Sequence, residues 1–266
     1  MNIFITLDSN YIYPLCVMLN SIAATNSGNR IDLYVAYSSL TDGDFSDMEK
    51  ALESTEHTIH RIPVSDDMFN DCPVLSRISK ATYYRLLVGD ILPDDVDRVL
   101  YLDPDIVVIR DLREFYNMSL EGNIIAGAPH LHLIAEDVNR IRLGLNKKSR
   151  YINAGVLLID LKKWRENISL KRIFKFISVN YKKLLLADQD VVNVLLEGNA
   201  LAIDERMYNL DEKTFRRYSS ALAGKKKINL EWVKNNTVVI HFNGKHKPWK
   251  EQKYAGRLGD FFEQYK

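Results

Sequence analysis

The sequence predicts an α/β fold in which a mostly parallel, doubly wound sheet is flanked by helices. Three observations carry this expectation. Short apolar, β-branched runs alternate with longer segments of helical spacing; the chain opens in the order strand, helix, strand, helix, strand; and nothing suggests a repeat or a Pro/Gly-rich linker. "NIFITL" (2–7) is the first strand and gives way to the polar Asp8-Ser9-Asn10 before "YIYPLCVMLNSIAAT" takes up helical periodicity. "RIDLYVAY" (30–37) is the next strand, "DGDFSDMEKALEST" a charged helix, and "HTIHRIPV" (57–64) an alternating strand. "SKATYYRLLVG" reads as helical and "RVLYL" as the strand that follows it. Two more strands, "NIIAGAP" (123–129) and "NAGVLLID" (153–160), extend the sheet. The segment "LKKWRENISLKRIFKFISVNYKK" is mostly helix, "LADQDVVNVLLEG" (186–198) is helical, "NALAID" is a short strand and "NTVVIHF" (236–242) is the last one. One domain over 1–266 is the economical reading, and in such a sheet ligands collect beyond the carboxyl ends of the strands.

With 266 residues, 46% of them apolar, the chain can bury a sizeable core. Lys and Arg (36) nearly balance Asp and Glu (35), which argues against a nucleic-acid partner. The balance conceals an asymmetry: residues 1–111 carry 8 basic against 18 acidic side chains, whereas 211–253 carry 11 against 4, including Lys225-Lys226-Lys227. That basic run is either a solvated face or a surface for an anionic partner, a phosphate or a lipid headgroup. The two cysteines, Cys16 and Cys72, lack metal-type spacing and suggest no disulfide framework, which fits a reducing, cytoplasmic setting. Nothing approaches the roughly 18 apolar residues of a membrane span.

The chemistry-bearing feature is "RVLYLDPDIVV", where a buried-type strand breaks on Asp103-Pro104-Asp105. Asp is disfavoured in strands and Pro cannot donate to a ladder, so pairing stops here. A solvated turn is one explanation. A hard divalent cation that relieves the repulsion between two carboxylates at a strand end is the other. Asp188-Gln189-Asp190 opens a helix, where acids also serve as caps. His241 ends the last strand and leads into Phe242-Asn243-Gly244-Lys245-His246-Lys247. An imidazole near two carboxylates suits Mn(II), and a basic loop with free backbone around Gly244 suits a diphosphate. Neither the phosphate P-loop pattern nor the dinucleotide glycine pattern is present.

Taken together, "ITLDSNYIYPLCVMLNSI", "ISKATYYRLLVGDIL", "DRVLYLDPDIVV", "YINAGVLLIDLKKWR", "ADQDVVN" and "HFNGKHKPWK" resemble glycosyltransferase family 8, the retaining enzymes that include bacterial lipopolysaccharide galactosyl- and glucosyltransferases. The resemblance implies a GT-A fold with a Rossmann-like sheet. It divides the domain into a donor nucleotide-binding portion (about 1–110) and an acceptor and closing portion (about 111–266). It also implies Mn(II), with Mg(II) as the alternative, a UDP-galactose or UDP-glucose donor, and a carbohydrate or glycolipid acceptor. By the same resemblance Asp103, Asp105 and His241 are metal ligands, with Pro104 between the first two. Asp8 matches the residue at the uracil edge, Tyr11 the aromatic on the base and Asn10 the ribose contact, while Thr6 and Leu7 line that pocket through their backbones. Arg85 matches an arginine at the donor sugar and phosphates; Asn153, Ala154 and Asp188 surround the hexose; Gln189 lies nearest the anomeric carbon; Gly244 and Lys247 close on the diphosphate.

Gln189 is a poor nucleophile, so front-side attack is preferred to a covalent intermediate. Two rivals are a sugar-nucleotide pyrophosphorylase, which wants a Gly-rich basic loop absent from "LDSNYIY", and a non-catalytic nucleotide-sugar-binding module, which is expected to lose the acids or His241. His130-Leu131-His132 stands where lipopolysaccharide-type members offer an acid to the acceptor, leaving the acceptor open. A weak peripheral contact of residues 211–253 with the inner membrane face is the remaining expectation.

Overall fold

In the computed structural model, which describes residues 1–70, 80–129, 133–147, 149–220, 224 and 226–266, the predicted strands become β1 (Asn2–Leu7), β2 (Ile31–Tyr37), β3 (His57–Pro63) and β4 (Arg98–Leu102). They continue as β5 (Ile106–Val108), β6 (Ile125–Pro129), β7 (Ile152–Asp160), β8 (Ala200–Ala202) and β9 (Val239–His241). Cys72, the His130-Leu131-His132 stretch and Lys225 lie outside the described residues. Seven strands form one sheet in the order β3-β2-β1-β4-β7-β6-β8. The pairs β1/β2, β2/β3, β1/β4 and β6/β8 are parallel, while β7 runs antiparallel to both β4 and β6. The apolar run in "NAGVLLID" gives a strand without its direction, which is fixed only by the two neighbours. The final strand does not extend this sheet: β9 pairs antiparallel with β5, the segment just after Asp-Pro-Asp, in a separate two-stranded sheet.

The pleat sorts side chains to two cores. Phe4, Val99 and Tyr101 join the cluster on one face, whereas Ile3, Ile5, Leu7, Leu100 and Leu102 join the cluster on the other. Helices cover both. Ile12–Thr25 lays Leu15, Met18, Leu19 and Ile22 on the second face, beside Asp42–Ala51, whose start is fixed by a capping box between Thr41 and Asp44. Helices Leu161–Asn167 and Leu170–Asn180 supply Trp164, Ile173 and Ile177 to the first. A third cluster, with Val107, Ile240, Phe242 and Phe262, seats β5 and β9 under the C-terminal residues.

Strand β7 keeps step with β4 from Arg98↔Asp160 to Leu102↔Val156. Against β6 it does not: Gly127 faces Leu157, yet Pro129 faces Ile152. Several extra residues of β7 are therefore accommodated there as a bulge. Core membership changes parity at the same place, with Ile152 and Ala154 on one face and Val156 and Leu158 on the other. The bulge turns consecutive residues 153–155, which regular alternation sends to opposite faces, toward one cavity.

Candidate active site

A cavity of about 820 Å³ opens beyond the carboxyl ends of the central strands. Tyr11, Arg85, Asp103, Asp105, Asn153, Ala154, Asp188, Gln189, His241, Gly244 and Lys247 all line it. Lys213, Lys245 and Lys250 from the basic segment line it too, so the acidic and basic parts of the chain do face one cleft. The volume suits a nucleotide-sized ligand.

Its floor is acidic. One ligand atom each from Asp103, Asp105 and His241 lies within 4.8 Å of the others. The pairing Ile106↔His241 brings the histidine to the Asp-Pro-Asp break, and Phe242 N–H donates to the Asp105 carbonyl at 2.9 Å. His241 Nε2 sits 3.1 Å from Asp105 Oδ1 and 3.7 Å from Asp103 Oδ2. Its other nitrogen, Nδ1, faces Asn209 Oδ1 at 2.8 Å, and Asn209 is itself oriented because its Nδ2 donates to Asn153 Oδ1 at 3.0 Å. Nδ1 must therefore carry a proton, which fixes the ring with Nε2 turned toward the two carboxylates. Burial opposes ionisation of Asp105, but His241 and Lys247 outweigh it and hold the carboxyl well below the usual carboxylate range. Lys247 Nζ lies 2.6 Å from Asp105 Oδ2 and donates to the Phe242 carbonyl at 2.6 Å. Two carboxylates and one imidazole are the donor set of an oxygen-preferring divalent cation that accepts nitrogen. Gly155 leaves the room it needs: a Cβ there meets His241 Cε1 at 2.3 Å and Asp103 Oδ2 at 2.5 Å.

Arg85 is the hub of the wall. Its guanidinium reaches Asp103 Oδ1 at 2.8 Å, Asp188 Oδ2 at 2.9 Å and the Ala154 carbonyl at 2.6 Å, and lies 4.5 Å from the centre of the Tyr101 ring. A planar fork serves several acceptors at once, which an ammonium does not. Tyr101 donates to Asp103 Oδ1 at 2.6 Å, so the Thr6 hydroxyl, 3.0 Å away, must donate to Tyr101. Burial pushes the Asp188 carboxyl up to about 7, against the pull of Arg85 and with Asp103 adding repulsion. Gln189 Oε1 accepts from Ala154 N–H at 3.2 Å, so its amide NH₂ is turned away from that bond.

Other predicted residues sit nearby without lining the cavity. Thr6 is buried and tied to Asp103 through Tyr101, Leu7 is in the core, and Pro104 is buried between the two acids. Asp8 accepts from Asn10 N–H at 2.9 Å and caps the short turn Ser9–Tyr11, with Asn10 exposed. Asn209, Gly155, Tyr101 and Trp249 escaped the sequence reading. Trp249 packs edge-on against Tyr11 at 6.2 Å, with Lys247 Nζ 5.2 Å from its ring centre. The aromatic in "HKPWK" was the available signal; for Asn209 there was none.

A family model described as glycosyl transferase family 8 matches residues 2–253. The chain is 28% identical to lipopolysaccharide 1,2-glucosyltransferase of Escherichia coli K12, over 94% of this chain and 72% of that protein. It is also 28% identical to lipopolysaccharide 1,3-galactosyltransferase of Salmonella typhimurium, over 93% of this chain and 72% of that one. Among solved structures it is similar to the galactosyltransferase LgtC in complex with donor and acceptor sugar analogues. The TM-score there is 0.84 with 27% identity, covering 100% of this chain and 95% of that one. The fold is of the GT-A type, with a mostly parallel central sheet.

Proposed function

We infer that this chain, which belongs to glycosyl transferase family 8, is a metal-dependent retaining hexosyltransferase that moves galactose or glucose from a UDP-sugar to a carbohydrate or glycolipid acceptor. The observation that carries the reading is the meeting of Asp103, Asp105 and His241 with Arg85 and Lys247 in one cleft. The similarity to a galactosyltransferase solved with donor and acceptor sugar analogues, and to lipopolysaccharide glucosyl- and galactosyltransferases, supports the substrate class. Residues 1–266 are read as one transferase domain, since the metal ligands come from both β4–β5 and β9.

In this reading Asp103, Asp105 and His241 would hold Mn(II), or Mg(II), which when bound would supply Lewis-acid stabilisation of negative charge on the donor's phosphates. Tyr11, with Asp8 and Asn10 beside it and the backbones of Thr6 and Leu7 behind it, takes the uridine end. Lys247, on the Gly244 loop, offers its ammonium to the same phosphates and opposes the charge that grows as the anomeric bond breaks. Arg85 orients Asp188 toward the hexose hydroxyls, and Asn153 and Ala154 complete that wall. Gln189 lies at the anomeric carbon and shields the oxocarbenium-like centre without bonding to it. Asp188 is engaged by Arg85 and Gln189 is an amide, so neither is a free carboxylate nucleophile, which favours front-side attack. The acceptor proton then passes to a leaving phosphate oxygen.

Calorimetry of UDP binding with and without Mn(II), in the wild type and in Asp103→Ala/Asp105→Ala, tests the metal bridge: equal, metal-independent binding in both would count against it. Hydrolysis of UDP-glucose and UDP-galactose, followed by an acceptor array, identifies the sugars. The reading sets the enzyme in the cytoplasm in synthesis of surface glycan or lipopolysaccharide-type material, with loose contact of residues 211–253 at the inner membrane face. Sedimentation with anionic liposomes at low salt checks that contact.

A further inference from the structure

Asp190 is fully buried, yet it neither lines the cavity nor belongs to the metal cluster. Its carboxylate is nonetheless densely bonded. Arg142 Nη2 donates to Oδ1 at 2.7 Å and Nη1 to Oδ2 at 2.8 Å, the Tyr151 hydroxyl donates to Oδ1 at 2.5 Å, and Leu186 N–H donates to Oδ2 at 2.9 Å. The last bond runs backwards across the turn and encloses Ala187, Asp188 and Gln189. Ala187 is buried with φ +47°, a left-handed conformation that alanine rarely adopts and that persists only where its surroundings impose it.

The turn is also held from its far side. Asn193 Nδ2 donates to the Gln189 carbonyl at 2.8 Å and to the Ile152 carbonyl at 2.8 Å, and Asn193 Oδ1 accepts from Ile152 N–H at 2.6 Å. It pairs with β7 as a neighbouring strand would. Arg142, in contrast, comes from the helix Leu133–Leu143 between β6 and β7 and also donates to the Lys183 carbonyl. A buried ion pair contributes little net stability compared with an apolar replacement; what it confers is geometry. Here the geometry is that of Asp188 and Gln189, which lie between the bonded ends.

We propose that Arg142, Asp190 and Tyr151 are positioning residues for the transfer reaction. They impose the left-handed turn at Ala187 that presents Asp188 and Gln189 to the donor hexose, and they make that presentation depend on the helix Leu133–Leu143. The proposal rests on the donor-hexose role of Asp188 and Gln189 given above. Arginine is required because only its fork spans both oxygens of Asp190; lysine keeps the charge and loses one bond.

The test compares wild type with Arg142→Lys, Arg142→Ala and Tyr151→Phe. Donor hydrolysis kinetics, UDP affinity in Mn(II), thermal midpoint and amide hydrogen exchange across residues 184–190 are measured on each. In Arg142→Ala, kcat should fall by about 10- to 100-fold, the loss expected of a misplacement near 1 Å. Arg142→Lys should fall less, UDP affinity should stay within about twofold, and faster exchange should be confined to 184–190. Unchanged kcat with a loosened turn would overturn the proposal, as would kcat, UDP affinity and thermal midpoint falling together in Arg142→Lys. If wild type hydrolyses neither UDP-hexose, the donor assignment has failed instead; exchange then decides, and unchanged protection at 184–190 in both Arg142 variants overturns the clamp.

Discussion

Replacing Gly155 with alanine should abolish the proposed cation binding in the cavity while leaving the fold in place. A Cβ at this position stands 2.3 Å from His241 Cε1, 2.5 Å from Asp103 Oδ2 and 3.1 Å from Asn153 Oδ1, whereas ordinary contact begins at 3.4 Å. His241 must retreat by about 1.1 Å and Asp103 by about 0.9 Å, several times the ~0.2 Å tolerance of a metal–ligand distance. Neither can give cheaply. His241 is pinned through Nδ1 by Asn209 at 2.8 Å, and Asp103 by Tyr101 at 2.6 Å and Arg85 at 2.8 Å. Gly155 is not among the glycines of positive φ, so the backbone itself adds no strain and the clash is the whole cost. Overpacking of this kind costs about 1–3 kcal/mol of stability. Disturbing only the supports of a metal site costs roughly 10- to 100-fold in affinity, so displacing two ligands should reach at least the upper end of that range. The assay is calorimetric titration of Mn(II) in the presence of UDP, with a thermal melt as control for folding. A folded Gly155→Ala protein that binds Mn(II) within about threefold of wild type would refute this reasoning, since a factor of three is well under 1 kcal/mol.

On the proposed reading Lys247→Ala should lower kcat for transfer by about 10²-fold or more, because the leaving diphosphate loses a charged donor while Asp103, Asp105 and His241 remain; steady-state kinetics at saturating Mn(II) check it. His57 gives a pH signature away from the cavity. Partial burial lowers its pKa, but the 2.6 Å contact with Glu49 and the Thr55 carbonyl outweigh it, so the folded value is raised above 6.5. A raised value means stabilisation fully present below the unfolded pKa and lost as pH rises through the folded one. Glu49→Gln should therefore destabilise by up to about 1 kcal/mol near pH 5.5 and leave stability near pH 9 unchanged, as denaturant melts at the two pH values will show. Arg165 donates to the carbonyls of Gly89 (2.9 Å), Leu92 (3.1 Å), Pro93 (2.8 Å) and Val96 (3.1 Å). Arg165→Ala should cost about 2–3 kcal/mol by leaving these acceptors unpaired, and Arg165→Lys should recover only part of it, by urea denaturation.

The strands and the break at Asp103-Pro104-Asp105 were legible in the sequence for a common reason. β-branched runs announce strands, and paired carboxylates interrupting such a run conflict with strand formation, so the break marks either a turn or a cation site. His241 was legible because it ends an apolar strand and opens a basic loop. What stayed hidden depended on which elements meet. The antiparallel course of β7 follows from its pairing with β4 and β6, not from its own residues. The bulge at 153–155 is a mismatch between two registers, invisible in either strand alone. Asn209 controls the His241 proton from a position whose neighbours in sequence give no hint of it. Asp190 reads as an ordinary acid at a helix start, and only its complete burial beneath Arg142 and Tyr151 distinguishes it from a cap.

The pairing of β5 with β9 sets a timetable for the growing polypeptide. His241 is made 136 positions after Asp105, a delay of roughly 7–30 s at 5–20 residues per second on the ribosome. Until β9 docks, Asp105 lacks both His241 and Lys247, the two groups that pair with its carboxylate. β1 to β4 can pair early, but the cluster of Asp103, Asp105 and His241 is complete only once β9 has joined β5.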